Sequence, residues 1–275
     1  MAGRIERRFA ALASVPRTGF IPFITAGDPD LETSAKILAG LAGAGADFIE
    51  LGMPFSDPMA DGPTIQAASV RALKAGTTVK KILEMVREFR KTDLETPIIL
   101  MGYYNPIYVY GSEAFVTDAR AAGVDGLIIV DIPPEADDEL CLPAAKAGLD
   151  FIRLLAPTTD ELRLPTVLKN TGGFLYYISV TGTTGTKSAS PGSIRAALAR
   201  IRRHSNLPIV AGFGIKTPTQ VREVAKAADA VVVGSAIVKT LARSLDAAGQ
   251  ARAETPKTVL GFVSELATGV KKGKQ

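Results

Sequence analysis

Ala44-Gly45-Ala46-Asp47-Phe48-Ile49-Glu50-Leu51-Gly52 joins the end of one helical pattern to the start of a short apolar run. The same junction returns as Ala122-Gly123-Val124-Asp125, as Ala147-Gly148-Leu149-Asp150 and, with alanine for glycine, as Lys226-Ala227-Ala228-Asp229. Glycine in such a place suits a left-handed helix C-cap that leads into a strand. The runs that follow are continuous and rich in Ile, Val and Leu. Strands buried on both faces of a parallel sheet read this way.

Working outward, eight such runs lie near Phe20–Thr25, Phe48–Gly52, Ile98–Met101, Gly126–Val130, Phe151–Leu155, Phe174–Ser179, Pro208–Gly212 and Ala230–Gly234. Helical patterns separate them, among them Leu31–Ala44, Lys80–Arg90, Ser112–Ala122, Glu135–Ala147, Ser193–Arg203 and Pro218–Ala227. Eight β-then-α alternations in 275 residues predict an α/β fold of the (β/α)8 TIM-barrel type. An open doubly wound sheet is the runner-up, but it would carry G-x-G-x-x-G after its first strand, where this chain has Ala26-Gly27-Asp28-Pro29. No Pro-, Gly- or Ser-rich linker divides the chain, so residues 1–275 are expected to form one domain, with a short extra amphipathic helix at the N-terminus.

Composition closes off other classes. Hydrophobic residues make up 47%, too many for a disordered chain. The net charge of +4 is unclustered apart from Lys271-Lys272-Gly273-Lys274, which reads as a frayed end rather than a nucleic-acid stripe. A lone cysteine, Cys141, excludes an internal disulfide and fits a reducing, cytoplasmic setting. No apolar run is long enough to span a bilayer. His204 is the only histidine and sits in a polar helix end, and no Cys/His cluster offers a metal site.

Barrel enzymes place their chemistry at the C-terminal ends of the strands. The second strand holds Glu50, an acid in an apolar run. It could face the surface or pair with a cation. Pointing into the barrel mouth, it would have the raised pKa of a general acid/base. The loop Met53-Pro54-Phe55-Ser56-Asp57-Pro58-Met59-Ala60-Asp61-Gly62-Pro63 follows directly. Asp57 and Asp61 both suit turns. Asp61 also precedes a helix start near Thr64, which favours its ionised form. Late in the chain, Gly212-Phe213-Gly214 and Gly234-Ser235 leave strands seven and eight, where glycines and a helix start let backbone N–H groups meet a phosphate. Tight strand–helix packing would use the same residues. The small polar segment Thr183 to Pro191 after strand six reads as a lid or a merely flexible loop. Within it, the Thr184 hydroxyl can donate to the Asp61 carboxylate.

The residues from Phe48 to Gln66, FIELGMPFSDPMADGPTIQ, resemble the signature of tryptophan synthase alpha chains. The resemblance runs from about Phe20 to Lys239 and takes in Phe23-Ile24-Thr25-Ala26-Gly27-Asp28-Pro29, Tyr103-Tyr104-Asn105-Pro106, the segment from Tyr176 to Gly185, Gly212-Phe213-Gly214 and Gly234-Ser235. It implies a lyase that splits indole-3-glycerol phosphate into indole and glyceraldehyde 3-phosphate. Glu50 and Asp61 would be the catalytic acids, with Tyr176 beside them. Gly185, Gly214, Gly234 and Ser235 would surround the phosphate. Phe23, Met101, Ile128 and Phe213 would form an apolar indole slot. It further implies no cofactor in this chain and a PLP-dependent beta subunit as partner in an α2β2 assembly. Pro54, Phe55, Asp57, Asn105 and Pro106 leave adjacent strands on one rim and form the expected interface. Two other readings share the late glycines: a sugar-phosphate isomerase or epimerase barrel, and a phosphate-ligand-binding regulatory subunit without catalysis.

Overall fold

The computed structural model describes residues 2–178, 191–212 and 214–270. Nine strand segments form one all-parallel sheet: β1 Gly19–Thr25, β2 Ile49–Gly52, β3 Ile98–Gly102, β4 Gly126–Ile129, β5 Asp150–Phe151, β6 Arg153–Leu155, β7 Leu175–Ile178, β8 Ile209–Gly212 and β9 Ala230–Val233. Their order is β5-β4-β3-β2-β1-β9-β8-β7-β6. The two ends of that order are consecutive in the chain. The run read as one fifth strand is split at Ile152. β5 pairs with β4, and β6 with β7. The Ile152 N–H still donates to the Leu127 carbonyl at 2.9 Å. The chain itself therefore joins the sheet edges, and the fold is a (β/α)8 TIM barrel with eight strand positions.

Alternation within each strand sorts side chains to two sides. Phe20, Ile24, Ile49, Leu51, Ile98 and Leu100 face outward into the layer of surrounding helices. Ile21, Phe48, Ile99, Ile128, Phe174 and Val210 fill the interior. The N-terminal helix Arg4–Ser14 plugs the bottom of that interior with Ile5, Phe9 and Leu12. The Phe9 ring lies 4.5 Å from that of Phe48 and 5.9 Å from that of Phe174.

The recurring aspartates explain themselves at this end. Asp47 N–H donates to the Phe20 carbonyl at 2.8 Å, and its carboxylate accepts the Phe20 N–H at 2.9 Å. Asp125 does the same to Ile98, and Asp229 to Ile209, with side-chain bonds of 2.9 Å each. An arginine from just before the neighbouring strand completes each clasp: Arg17 on Asp47, Arg90 on Asp125 and Arg202 on Asp229. The preceding glycines Gly45, Gly123 and Gly148 all have φ between 80° and 103°, as the left-handed exit from a helix requires.

One helix differs from its reading. Glu135–Ala147 is a 3-10 turn at Pro134–Ala136 followed by a short helix at Cys141–Lys146. Pro143 has no N–H for the carbonyl four residues back, so it is tolerated only in a helix's first turn. Asp137 is drawn instead to Arg153 and Asn170.

The Asp125 clasp should be the costliest to break, because Arg90 is buried with it. Asp125→Ala is expected to lose about 3–5 kcal/mol, the usual cost of stranding one member of a buried ion pair. Urea unfolding monitored by circular dichroism measures this, and a loss under about 1 kcal/mol would show that the clasp contributes little.

Candidate active site

β1, β2 and β3 bring their last inward-facing residues together at the barrel mouth. Phe23 pairs in register with Glu50, and Glu50 with Ile99; one layer higher, Thr25 pairs with Gly52 and Gly52 with Met101. Gly52 is small for a reason. A Cβ there would lie 2.5 Å from the tip of the Phe23 ring. The helix Pro63–Lys74 lies across this mouth, and its Arg71 forks onto Asp28 of the loop after β1 at 2.7 and 2.9 Å. That bidentate pair fixes the helix whose start carries Asp61.

Glu50 is 2% exposed. Burial first, and the nearby Asp61 charge second, push its pKa up to about 8. Tyr176 from β7 is also buried, and burial followed by the Glu50 charge keeps its hydroxyl protonated. Asp61 is half-buried, and burial raises its pKa to about 6, against a lowering hydrogen bond from Tyr103. The helix start after Asp61 was expected to favour its ionised form; desolvation outweighs that. The two carboxyls titrate in order. Asp61 ionises at a lower pH than Glu50, which leaves a window in which one is a carboxylate and the other a carboxylic acid.

A cavity of about 20 Å³ opens beside Asp61, walled by Phe23, Ile65, Met101 and Val130 and by the polar groups of Thr25, Asp61, Ser69 and Tyr103; Glu50 is not part of its wall. Its free space is near that of a single water molecule, so a bicyclic ring enters only when these side chains part. Phe23 and Met101 stand where the slot was expected. Ile128, in register with Met101, is fully buried in the interior cluster. Val130, two residues on and therefore on the same strand face, lines the cavity.

Gly234 precedes the helix Ser235–Ser244, and Ser235 is exposed at its first position. Gly214, after the adjacent strand β8, has φ of 69°. The two glycines thus sit on neighbouring strand ends beside a helix N-terminus, an arrangement suited to an anion. Thr184, Gly185 and Phe213 lie outside the described residues. On the rim, Asp57 and Asn105 are exposed, Phe55 is half-covered by Tyr103 at 5.5 Å between rings, and Pro54 is buried. Among the described residues no cluster of three or more His, Cys, Asp or Glu side chains could hold a metal ion. No described helix is long and apolar enough to cross a membrane.

The family model described as tryptophan synthase alpha chain matches residues 9–268. The chain belongs to this family. It is similar to tryptophan synthase subunit alpha of Legionella pneumophila, with 37% identity and a TM-score of 0.89 over 98% of this chain and 99% of that one. A structure from Aquifex aeolicus gives 36% and 0.87 over 98% and 100%. Mycobacterium tuberculosis tryptophan synthase gives 32% and 0.87 over 99% and 100%.

Seen as a tryptophan synthase alpha chain, the protein carries three polar residues at the mouth that the sequence reading passed over. Tyr103 hydrogen-bonds Asp61 and accepts the Ala60 N–H at 3.0 Å. Ser69 follows Asp61 and Ile65 at steps of four, and all three line the cavity, so helical spacing points to it. Thr25 follows Ile21 and Phe23 at steps of two, and strand parity points to it.

Because Glu50 holds its proton in the folded state up to about pH 8, the unfolded chain binds fewer protons between about pH 4.5 and 8. The wild-type protein must therefore lose stability as pH rises through that window, by up to about 1.4 kcal/mol per pH unit. Glu50→Gln has no proton to lose. Its advantage in unfolding free energy should widen from pH 5 to pH 8 and then level off; a gap independent of pH would mean that Glu50 is ionised in the fold.

Proposed function

We propose that this tryptophan synthase alpha chain is the lyase that cleaves indole-3-glycerol phosphate into indole and glyceraldehyde 3-phosphate. The observation that carries the reading is the pair of carboxyls in one mouth, Glu50 buried and Asp61 half-buried, with burial pushing the pKa of Glu50 up further than that of Asp61. The glycerol chain leaves indole C3 in a retro-aldol cleavage. Glu50 gives its proton to C3, which makes the ring a cation. The Asp61 carboxylate accepts a hydrogen bond from the ring N–H and stabilises that charge. Glu50, now a carboxylate, takes the proton of the glycerol hydroxyl as its carbon becomes the aldehyde and the bond electrons return to the ring. Every proton is accounted for, and the substrate's own ring is the electron sink, so the scheme calls on no cofactor from this chain.

Tyr176 packs beside Glu50 and stays protonated. Gly214, Gly234 and Ser235 hold the phosphate, joined by Gly185. Phe23, Met101 and Val130 hold the ring. The partner is a PLP-dependent beta subunit in an α2β2 assembly, and it docks on the rim of Phe55, Asp57, Asn105 and Pro106. Exposed Met59, Tyr108 and Val109, at 77%, 66% and 78%, extend that rim with apolar surface a partner would cover.

Indole release by the purified chain tests the reading against a different phosphate-binding barrel or a non-catalytic subunit. Glu50→Gln and Asp61→Asn should each lower turnover by at least about 10²-fold while the fold persists. Turnover of the wild type should fall below about pH 6, where Asp61 takes up a proton, and above about pH 8, where Glu50 loses its own. A flat pH profile, or near-normal release by either variant, would remove that carboxyl from the chemistry.

The phosphate end has its own test. A Cβ on Gly234 would press on the Phe23 side chain at 3.3 Å and project where an anion approaches. Gly234→Val is expected to weaken glycerol phosphate binding by calorimetry more than indole binding. Equal weakening would place the fault in Phe23 and the slot.

A further inference from the structure

Four buried side-chain atoms among the described residues have no hydrogen-bond partner: the hydroxyls of Thr25 and Thr77 and the Nε atoms of Arg153 and Arg222. Of these residues only Thr25 belongs to the wall of the mouth cavity. Thr77 packs instead on Gly27, where a Cβ would lie 1.9 Å from its hydroxyl oxygen. A buried hydroxyl without a partner costs stability and calls for an explanation. Thr25 is 3% exposed, and its main chain is engaged, with its carbonyl accepting the Asp28 N–H at 3.2 Å. The hydroxyl alone is left over, on a residue that lines the space where a ligand would sit.

Two other polar groups of that wall are partnered. Asp61 and Tyr103 hold one another, and Tyr103 also takes the Ala60 N–H. Phe23, Ile65, Met101 and Val130 are apolar. From the geometry we infer that Thr25 is a further ligand-binding residue, whose hydroxyl hydrogen-bonds an N–H or O–H of the bound substrate beside Asp61. The inference rests on the indole-3-glycerol phosphate reading for its substrate. A site that stores an unsatisfied hydroxyl when empty and satisfies it when filled discriminates against ligands that lack a matching polar group.

The test pairs stability with binding. Thr25→Val keeps the shape and removes the hydroxyl; Thr25→Ser keeps the hydroxyl. Thr25→Val should leave the urea midpoint unchanged or raise it, because an unpartnered polar atom is replaced by a methyl group. It should also weaken ligand binding by roughly 3- to 10-fold, the usual worth of one neutral hydrogen bond, and Thr25→Ser should bind as the wild type does. Calorimetry with indole, 1-methylindole and indole-3-glycerol phosphate locates the contact. Weakening of indole but not 1-methylindole assigns it to the ring N–H, shared with Asp61, and weakening of the glycerol phosphate alone assigns it to a chain hydroxyl. Either result supports the inference. Wild-type affinity of Thr25→Val for all three, or a loss shared by Thr25→Ser, overturns it, as does a marked fall in the urea midpoint of Thr25→Val. Absence of indole release by the wild type would instead sink the substrate reading and leave the binding comparison for indole standing.

Discussion

The barrel depends on a two-point clasp between neighbouring strands at its lower end. An aspartate at the foot of β2, β4 or β9 gives its N–H to the first or second residue of the adjacent strand and takes that residue's N–H in return. Parallel strands have no hairpin to set their register, and a slip by one residue would turn every side chain to the wrong face. The clasp supplies what the missing hairpin would. With Asp47 locked on Phe20, Phe23 falls opposite Glu50 and Thr25 opposite Gly52. The mouth is thus positioned from the opposite end of the barrel. The arginines that close each clasp neutralise a buried or half-buried carboxylate and tie the preceding segment into the same joint.

The upper end spends what the lower end secures. Glu50 and Tyr176 are ionisable groups in an interior otherwise filled by Ile, Val and Phe. Neither has a cation beside it among the described residues to offset burial, and both accordingly hold their protons. Thr25 leaves a hydroxyl unpaired. These are local conflicts with good packing, and they gather in neighbouring layers near the strand ends, as is usual where a fold serves chemistry rather than stability.

Much of this was legible in the chain. Repetition of the Ala-Gly-x-Asp junction marked the strands, and continuous apolar runs marked their burial. Glu50 stood out because it broke such a run. The aspartates of the junction were visible but their purpose was not, since their partner is the start of a strand some twenty to thirty residues earlier. Pro143 should have ended the helix drawn through Glu135–Ala147, and the apolar spacing around it hid that. Tyr103, Ser69 and Thr25 escaped notice for a different reason. A hydroxyl is ordinary in any sequence, and its meaning rests on which partners the folded surroundings provide or withhold.

The aromatic floor built by Phe9, Phe48 and Phe174 makes the barrel a blind vessel rather than a tube. Whatever is made at the mouth has no rear exit and leaves through the opening by which the reactant arrived. Capture and release therefore compete for one passage. A protein seated over that rim would govern both directions of traffic at once, and a small product unable to diffuse away would have only the covering molecule to enter.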